Sequence, residues 1–206
     1  MVIASKNSDK IAEVEAVLLA TGFVSEIVRG LVWEDVDETE GTLEGNALLK
    51  ARAVYATTGV SAVADDSGLE VDALEGAPGV YSARYAGPSC TPDDNVNKML
   101  RELDGVERRA ARFRTVVAFV GIVDGRPVEI TTDGTLEGTI AGERRGSGGF
   151  GYDPIFVLPD GRSLAEVDGE EKNRISHRAK AIQALAEALS LGLAGVGLRI
   201  RSSYRT

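Results

Sequence analysis

Apolar and polar positions along the chain alternate between helical and strand periodicities. Val2-Ile3-Ala4-Ser5 predicts a short first strand. Ile11, Val14, Val17 and Leu18 recur at helical spacing over 10–20, with Ser8 or Asp9 as the N-cap. A polar stretch over 24–42 contains Ile27-Val28 and the acidic run Glu34 to Gly41. Leu43, Ala47, Ala51 and Val54 mark one face of a second helix over 43–58. Val60 to Ala64 reads as a short buried strand that stops at Asp65-Asp66, with the chain turning at Ser67-Gly68. Gly76-Ala77-Pro78-Gly79 is a loop, and Pro92-Asp93 opens a third helix through about Leu103. Phe113 to Val123 is nearly continuously apolar and β-branched, the pattern of a central strand covered on both faces. Asp124-Gly125-Arg126-Pro127 is a turn, with Val128 to Thr131 as the hairpin partner. Gly146 to Gly151 is a loop, Ile155-Phe156-Val157 a strand, and a last helix begins near Ser176 with Ala179, Ile182, Leu185 and Leu189 inward. Strands and helices in this order predict a mixed α/β (α+β) domain without repeats or linkers.

Composition narrows the setting. The 206 residues, 43% of them hydrophobic, set one domain as the expectation: 1–191, with 192–206 as a tail. No apolar run approaches the length of a membrane span, and Met1 to Lys6 lacks the order of a signal peptide, so no membrane partner is expected. Cys90 is the sole cysteine, which excludes an intrachain disulfide and a thiolate zinc site and makes a reducing cytoplasm the expected compartment. The net charge of −9, from 32 acidic and 23 basic residues, argues against a nucleic acid polymer as partner. It leaves room for a small anionic ligand held by a few local cations.

Five segments carry candidate chemistry. Asp65 and Asp66 adjoin a buried strand, and burying carboxylates requires a cation or hydrogen bonds. Mg²⁺ is one such partner, and an ordinary turn with one solvated Asp is the bland alternative. Ser5-Lys6-Asn7-Ser8-Asp9-Lys10 lies between a strand and a helix, where backbone N–H groups and the positive helix end face any anion. Taken alone, the hexapeptide is more simply an ordinary capped helix start with a surface Lys. Lys50 borders an apolar helix face, and either snorkels to water or reaches a buried anion. Glu38 sits in the acidic loop and, with Asp66, would meet the one-or-two-carboxylate requirement of Mg²⁺.

The other two segments are aromatic and basic. In Gly148-Gly149-Phe150-Gly151-Tyr152-Asp153, an aromatic ring between glycines could stack on a nucleobase or tuck into the core. Glu171-Lys172-Asn173-Arg174-Ile175-Ser176-His177-Arg178 places the only histidine beside an arginine at a helix start, against the preference for acidic residues there. Both side chains can donate to a base carbonyl or a phosphate. The alternative is a surface basic cluster.

Together these segments resemble the inosine triphosphate pyrophosphatase family, the Ham1-like nucleoside triphosphate pyrophosphatases. The pattern S/T-x-N-x-x-K appears as Ser5, Asn7 and Lys10, and N-A-x-x-K-A as Asn46 to Ala51. A-D-D-S-G-L stands at 64–69, G-A-P-G-V-Y-S-A-R-Y at 76–85, G-G-F-G-Y-D-P-I-F at 148–156 and E-E-K-x-x-x-S-H-R at 170–178. The resemblance implies a long twisted mixed sheet flanked by helices, two lobes with a central cleft, and a homodimer. It implies that Ser5, Asn7, Lys10 and Lys50 hold a triphosphate, within the stretch that also carries Lys6, Ser8 and Asp9. Asp66 is the implied proton acceptor, Glu38 and Asp66 the implied Mg²⁺ ligands, and Asp65 a supporting ligand. Ser67 would contact substrate, and Phe150, Gly151, Tyr152, Asp153, Lys172, His177 and Arg178 would bind the base end. Two departures stand out: Leu136 replaces a common tryptophan, and Gly45 stands where an acidic residue is common.

The implied reaction is Mg²⁺-dependent hydrolysis of a purine nucleoside triphosphate such as dITP, ITP or XTP to the monophosphate and pyrophosphate. Two alternatives stand beside it. One is a related hydrolase acting on modified pyrimidine or standard triphosphates. The other is a nucleotide sensor without turnover, against which the acidic pair argues, because two carboxylates hinder simple anion binding.

Overall fold

A computed structural model describes residues 1–193 of the chain; most of the expected tail, 194–206, lies outside the described residues. Six strands pair in one mixed sheet. They are β1 (Val2–Ile3), β2 (Ala62–Val71), β3 (Pro78–Gly79), β4 (Ala110–Val123), β5 (Arg126–Ile140) and β6 (Phe156–Val157), ordered β1-β2-β4-β5-β6 with β3 on β2. Strand β1 runs parallel to β2, with Val2 opposite Ala62, whereas β3 and β6 pair antiparallel with β2 and β5. Five helices accompany them among the described residues: α1 (Ser8–Ala20), α2 (Leu43–Thr58), α3 (Pro92–Glu102), α4 (Gly169–Ile175) and α5 (His177–Leu193). No helix among the described residues is long and apolar enough to cross a membrane.

The helix limits follow from local chemistry. Asn7 caps α1, its side chain accepting from the N–H groups of Asp9 and Lys10, one residue before the expected Ser8 or Asp9. Thr42 caps α2, and Gly59 ends it with φ 67°, a left-handed conformation that glycine adopts without a Cβ clash. Thr91 and Asp94 form a capping box ahead of α3.

Several strand limits differ from the expectation. The strand predicted to stop at Asp65-Asp66 continues to Val71, so the two carboxylates sit inside β2 and no turn occurs at Ser67-Gly68. Pairing with β3 supplies backbone partners that keep the chain extended, with Leu69 opposite Gly79 and Glu70 opposite Pro78. The hairpin partner expected over 128–131 extends from Arg126 to Ile140. The strand expected at 155–157 is a 3-10 turn over Asp153–Ile155 followed by the two-residue β6, because Pro154 lacks the N–H a longer strand would use. The expected first strand is shortened to Val2–Ile3.

The chain divides into two compact units. The first comprises Met1–Asp66, Val116–Asp133 and residues from Ala181 onward; the second comprises Ser67–Thr115 and Gly134–Lys180. In the first, Val14, Val17 and Leu18 of α1, Ala47, Ala51 and Val54 of α2, and Val116 to Val120 of β4 are buried. In the second, Leu69, Met99, Leu103, Phe113, Ile140, Ile155, Phe156 and Leu164 belong to one apolar cluster. Leu136, the departure from the family's tryptophan, is 7% exposed and belongs to that cluster.

Gly138 marks one close approach in the second unit. A Cβ there would lie 2.6 Å from the Phe156 ring and 2.6 Å from the Val157 carbonyl oxygen. Gly138→Ala is expected to cost about 2 kcal/mol by overpacking. That corresponds to a fall of roughly 6 °C in Tm. A thermal melt unchanged within about 1 °C would show that β6 moves aside freely.

Candidate active site

In the first unit the site is organised around the buried carboxylates of β2. Successive side chains leave a strand on opposite faces, so Asp65 and Asp66 take different partners. Asp65 pairs with Lys10 of α1, Nζ to Oδ2 3.6 Å. Asp66 accepts from Asn46 Nδ2 of α2 at 3.2 Å and from Lys50 Nζ at 3.4 Å. Lys50 also donates to Glu38 Oε1 at 2.8 Å, so one ammonium bridges the acidic loop and the strand. Lys50 reaches the buried Asp66 and the partly exposed Glu38 and does not snorkel to solvent. Asn46, fully buried, holds the same loop from its other end: its Oδ1 accepts the Glu40 N–H at 3.0 Å.

Burial raises the Asp66 carboxyl above the usual carboxylate range, and neighbouring Glu38 reinforces it, against the lowering influence of Lys50, Lys10 and the Asn46 hydrogen bond. Burial works against the charge on Lys50, yet Asp66, Glu38 and Asp65 outweigh it and hold the ammonium above its ordinary value. Among the described residues no group of three or more His, Cys, Asp or Glu side chains is placed to hold a metal. Mg²⁺ does not need one, because it keeps several waters and uses one or two carboxylates with substrate oxygens. Glu38 and Asp66, both hard oxygen donors sharing a single ammonium, fit that requirement.

The turn from β1 to α1 supplies the remaining candidates of this unit. Ser5 Oγ accepts the Asn7 N–H at 3.2 Å, and Lys6 pairs with Asp35. Asn7, Ser8 and Asp9 are exposed at the first turn of α1.

In the second unit a different cluster forms. Asp153, 4% exposed, accepts the Phe150 N–H at 2.8 Å and the Lys172 ammonium at 2.7 Å, all through Oδ2. Gly149 permits this approach, because a Cβ at 149 would meet Asp153 Oδ2 at 2.1 Å and the residue has φ +69°. Lys172 Nζ stands 4.5 Å from the Phe150 ring centroid, and Arg178 Cζ 6.0 Å from it. The half-buried Phe150 therefore lies against two cations and is not part of the apolar cluster. Gly151, with φ 62°, carries the chain on to Tyr152, which faces the core and donates from its hydroxyl to the Ser82 carbonyl at 2.9 Å. His177 and Arg178, expected at a helix start, open α5 and are both buried, 6% and 2% exposed. They are not a surface basic cluster. Arg178 Nη2 donates to Ser67 Oγ at 3.3 Å.

Two residues of this geometry carried no assigned role in the sequence reading. Asn46 lies one helical turn before Lys50, an i, i+4 spacing that puts both on one face of α2. Thr115, whose Oγ1 lies 2.6 Å from Ser67 Oγ and bonds His177 Nδ1, is the only hydroxyl in the apolar run from Phe113 to Val123, and that isolation was the available signal.

The raised Asp66 value has a definite pH consequence in metal-free protein. An acid whose folded value exceeds its unfolded one favours folding while protonated, and that stability is lost as pH rises through the folded value. Asp66→Asn removes the titration. The stability of the variant relative to the natural chain is therefore expected to rise with pH from about 3.9 upward through the raised Asp66 value, then level off. Urea unfolding across pH reads the difference, and a gap independent of pH would refute the assignment.

Comparison with known proteins places this geometry in a family. The family model described as the Ham1 family matches residues 1–188. The dITP/XTP pyrophosphatase of Methylococcus capsulatus is 48% identical over 193 residues, 92% of this chain and 95% of its own length. That of Symbiobacterium thermophilum is 49% identical over 193 residues, covering 92% and 94%. Among solved structures, the Ham1 protein of Staphylococcus aureus matches with a TM-score of 0.80 at 37% identity, over 93% of this chain and 98% of its own. The HAM1 protein of Coxiella burnetii gives 0.78 at 41% identity, over 92% and 98%. With the carboxylate pair, the N-A-x-x-K-A helix and the His-Arg pair all in the order the sequence resemblance required, the chain belongs to the Ham1 family.

Proposed function

We propose that this protein is a nucleoside triphosphate pyrophosphatase that hydrolyses non-standard purine nucleotides, dITP, ITP and XTP, to the monophosphate and pyrophosphate. It would thereby keep them out of DNA and RNA synthesis. The observation that carries the chemistry is the Asp66 carboxylate, buried in β2 between Asn46 and Lys50 and raised above its usual range. The relatives named dITP/XTP pyrophosphatase, 43% to 49% identical, support the substrate class.

The residues divide the work. Phosphoryl transfer depends chiefly on positioning and charge neutralisation. Lys10, Lys50 and the donors at Ser5 and Asn7 would bind the polyphosphate. Asp66 would orient the attacking water and accept its proton, a task for which a carboxylate raised toward the working pH is better suited. Glu38 and Asp66 would hold Mg²⁺, which when bound supplies charge neutralisation at the phosphate oxygens. Phe150 offers a stacking face, and Lys172, His177 and Arg178 carry donors suited to a 6-oxo purine. An adenine 6-amino group would set donor against donor, a mismatch worth roughly 10⁴-fold in discrimination when the donors are buried. We further propose a homodimer in the cytoplasm, free of membrane and of nucleic acid polymers.

A nucleotide panel with Mg²⁺, read by released inorganic pyrophosphate, is expected to give preferential turnover of dITP, ITP or XTP. Faster turnover of dTTP or ATP would overturn the substrate reading. Asp66→Asn is expected to lower kcat by about 10² to 10⁴. Equal rates for purified variant and natural chain would remove Asp66 from its role.

A further inference from the structure

Ser82, buried at the start of a 3-10 turn over Ser82–Arg84, takes part in hydrogen bonds whose directions the backbone settles. The Leu69 N–H donates to its Oγ at 2.8 Å, and its hydroxyl donates to the Gly79 carbonyl at 2.6 Å. Its own carbonyl accepts the Tyr152 hydroxyl at 2.9 Å. A backbone N–H can only donate and a carbonyl can only accept, so none of these bonds can be reversed. Burial pushes the Tyr152 phenol above its ordinary value, so it keeps the proton it donates. One serine thus fastens β2 with its side chain and Tyr152 with its main chain, all within the second unit.

Both ends of that link adjoin candidate substrate groups. Leu69 lies two residues beyond Ser67. At Gly68, between them, the chain leading to Ser82 comes too close for a side chain: a Cβ there would stand 2.5 Å from the Gly79 carbonyl oxygen. Tyr152 lies two residues beyond Phe150 and directly before Asp153, whose carboxylate takes the Phe150 N–H and the Lys172 ammonium. The loop that carries Phe150 has little stiffness of its own, since Gly149 and Gly151 on either side both stand at positive φ. Where it sits therefore depends on what it is fastened to, and the planar Tyr152 ring, anchored at its hydroxyl, is one such fastening.

We infer that Ser82 is a positioning residue, which through Tyr152 fixes the Phe150 ring relative to Ser67 on β2. In the base-recognition reading proposed above, on which this step rests, Ser82 thereby sets the affinity for the purine end and leaves the chemical step alone.

Two variants test it. Tyr152→Phe removes only the phenol hydroxyl, and Ser82→Ala removes the side-chain bonds to Leu69 and Gly79. Amide hydrogen exchange of the full-length, ligand-free protein reads the link without any substrate. Tyr152→Phe is expected to speed exchange at Phe150 about fivefold, and Ser82→Ala to do so at both Leu69 and Phe150. The buried Ile140 N–H, bonded to the Arg109 carbonyl in the same unit, is expected to change by less than about twofold. With dITP, either variant is expected to raise KM about fivefold with kcat within about twofold. The double variant is expected to do no more than the larger single effect, because both act through one link. Exchange that quickens equally at Phe150 and Ile140 would mean a general loss of stability and overturns the inference. Unchanged exchange at Phe150 in Tyr152→Phe overturns it too, as does a rise in KM that simply multiplies in the double variant. Should Ser82→Ala fail to fold, Tyr152→Phe alone decides. If the natural protein leaves dITP untouched, the substrate reading falls, and the exchange rates still judge Ser82.

Discussion

Two consecutive carboxylates in the interior of a strand cannot be buried without compensation, and the first unit is arranged to supply it. Asp65 draws on Lys10 from one helix, and Asp66 draws on Asn46 and Lys50 from another. Glu38 enters through the same ammonium, so the acidic loop is tied to α2 and β2 by Lys50 and by the Asn46 contact to Glu40. Lys10 and Lys50 draw the three carboxylates Glu38, Asp65 and Asp66 together, and burial raises the Asp66 carboxyl. A buried carboxyl with a raised value is unfavourable for folding, and perturbed groups of this kind cluster at functional sites. That trade is common at catalytic centres, where local consistency gives way to function.

The second unit solves the opposite problem. Lys172 and Arg178 are buried cations, and Asp153 is the carboxylate that anchors the first of them. The same oxygen of Asp153 takes the Phe150 N–H, so one carboxylate positions both the ring and the cation above it. Gly149 is the steric condition for that approach. Arg178 reaches Ser67, and Thr115 links Ser67 to the only histidine of the sequence. Aromatic, cationic and hydroxyl groups are thereby held in fixed orientations, which is what discrimination between a carbonyl and an amino group demands.

Much of this was legible in the order of residues. Helix α2 follows from Leu43, Ala47, Ala51 and Val54 at helical spacing, and its limits coincide with the expectation. The hairpin turn was signalled by Asp124-Gly125, both at positive φ as a two-residue turn requires. Strand β2 was misjudged for a physical reason. Asp-Asp-Ser-Gly has the local composition of a turn, but pairing with β3 and neutralisation by Lys10, Asn46 and Lys50 override that preference. Tyr152 was grouped with a base-binding loop by its neighbours, yet its hydroxyl has a backbone partner in the core.

By itself the sequence determined the composition of the site: which carboxylates, lysines, aromatic and histidine–arginine pair the chain carries, and in what order. Residue type and spacing suffice for that, because charge, hydrogen-bonding capacity and glycine's backbone freedom belong to the residue. Only the tertiary structure decided how they are shared. It made Lys50 a bridge between Glu38 and Asp66, recruited Asn46 as the hydrogen-bond donor to Asp66, and turned Thr115 from one more residue of an apolar strand into the link between Ser67 and His177. Those partners lie up to 62 residues apart in the chain, and no local pattern encodes which of several buried groups will meet once the strands pair.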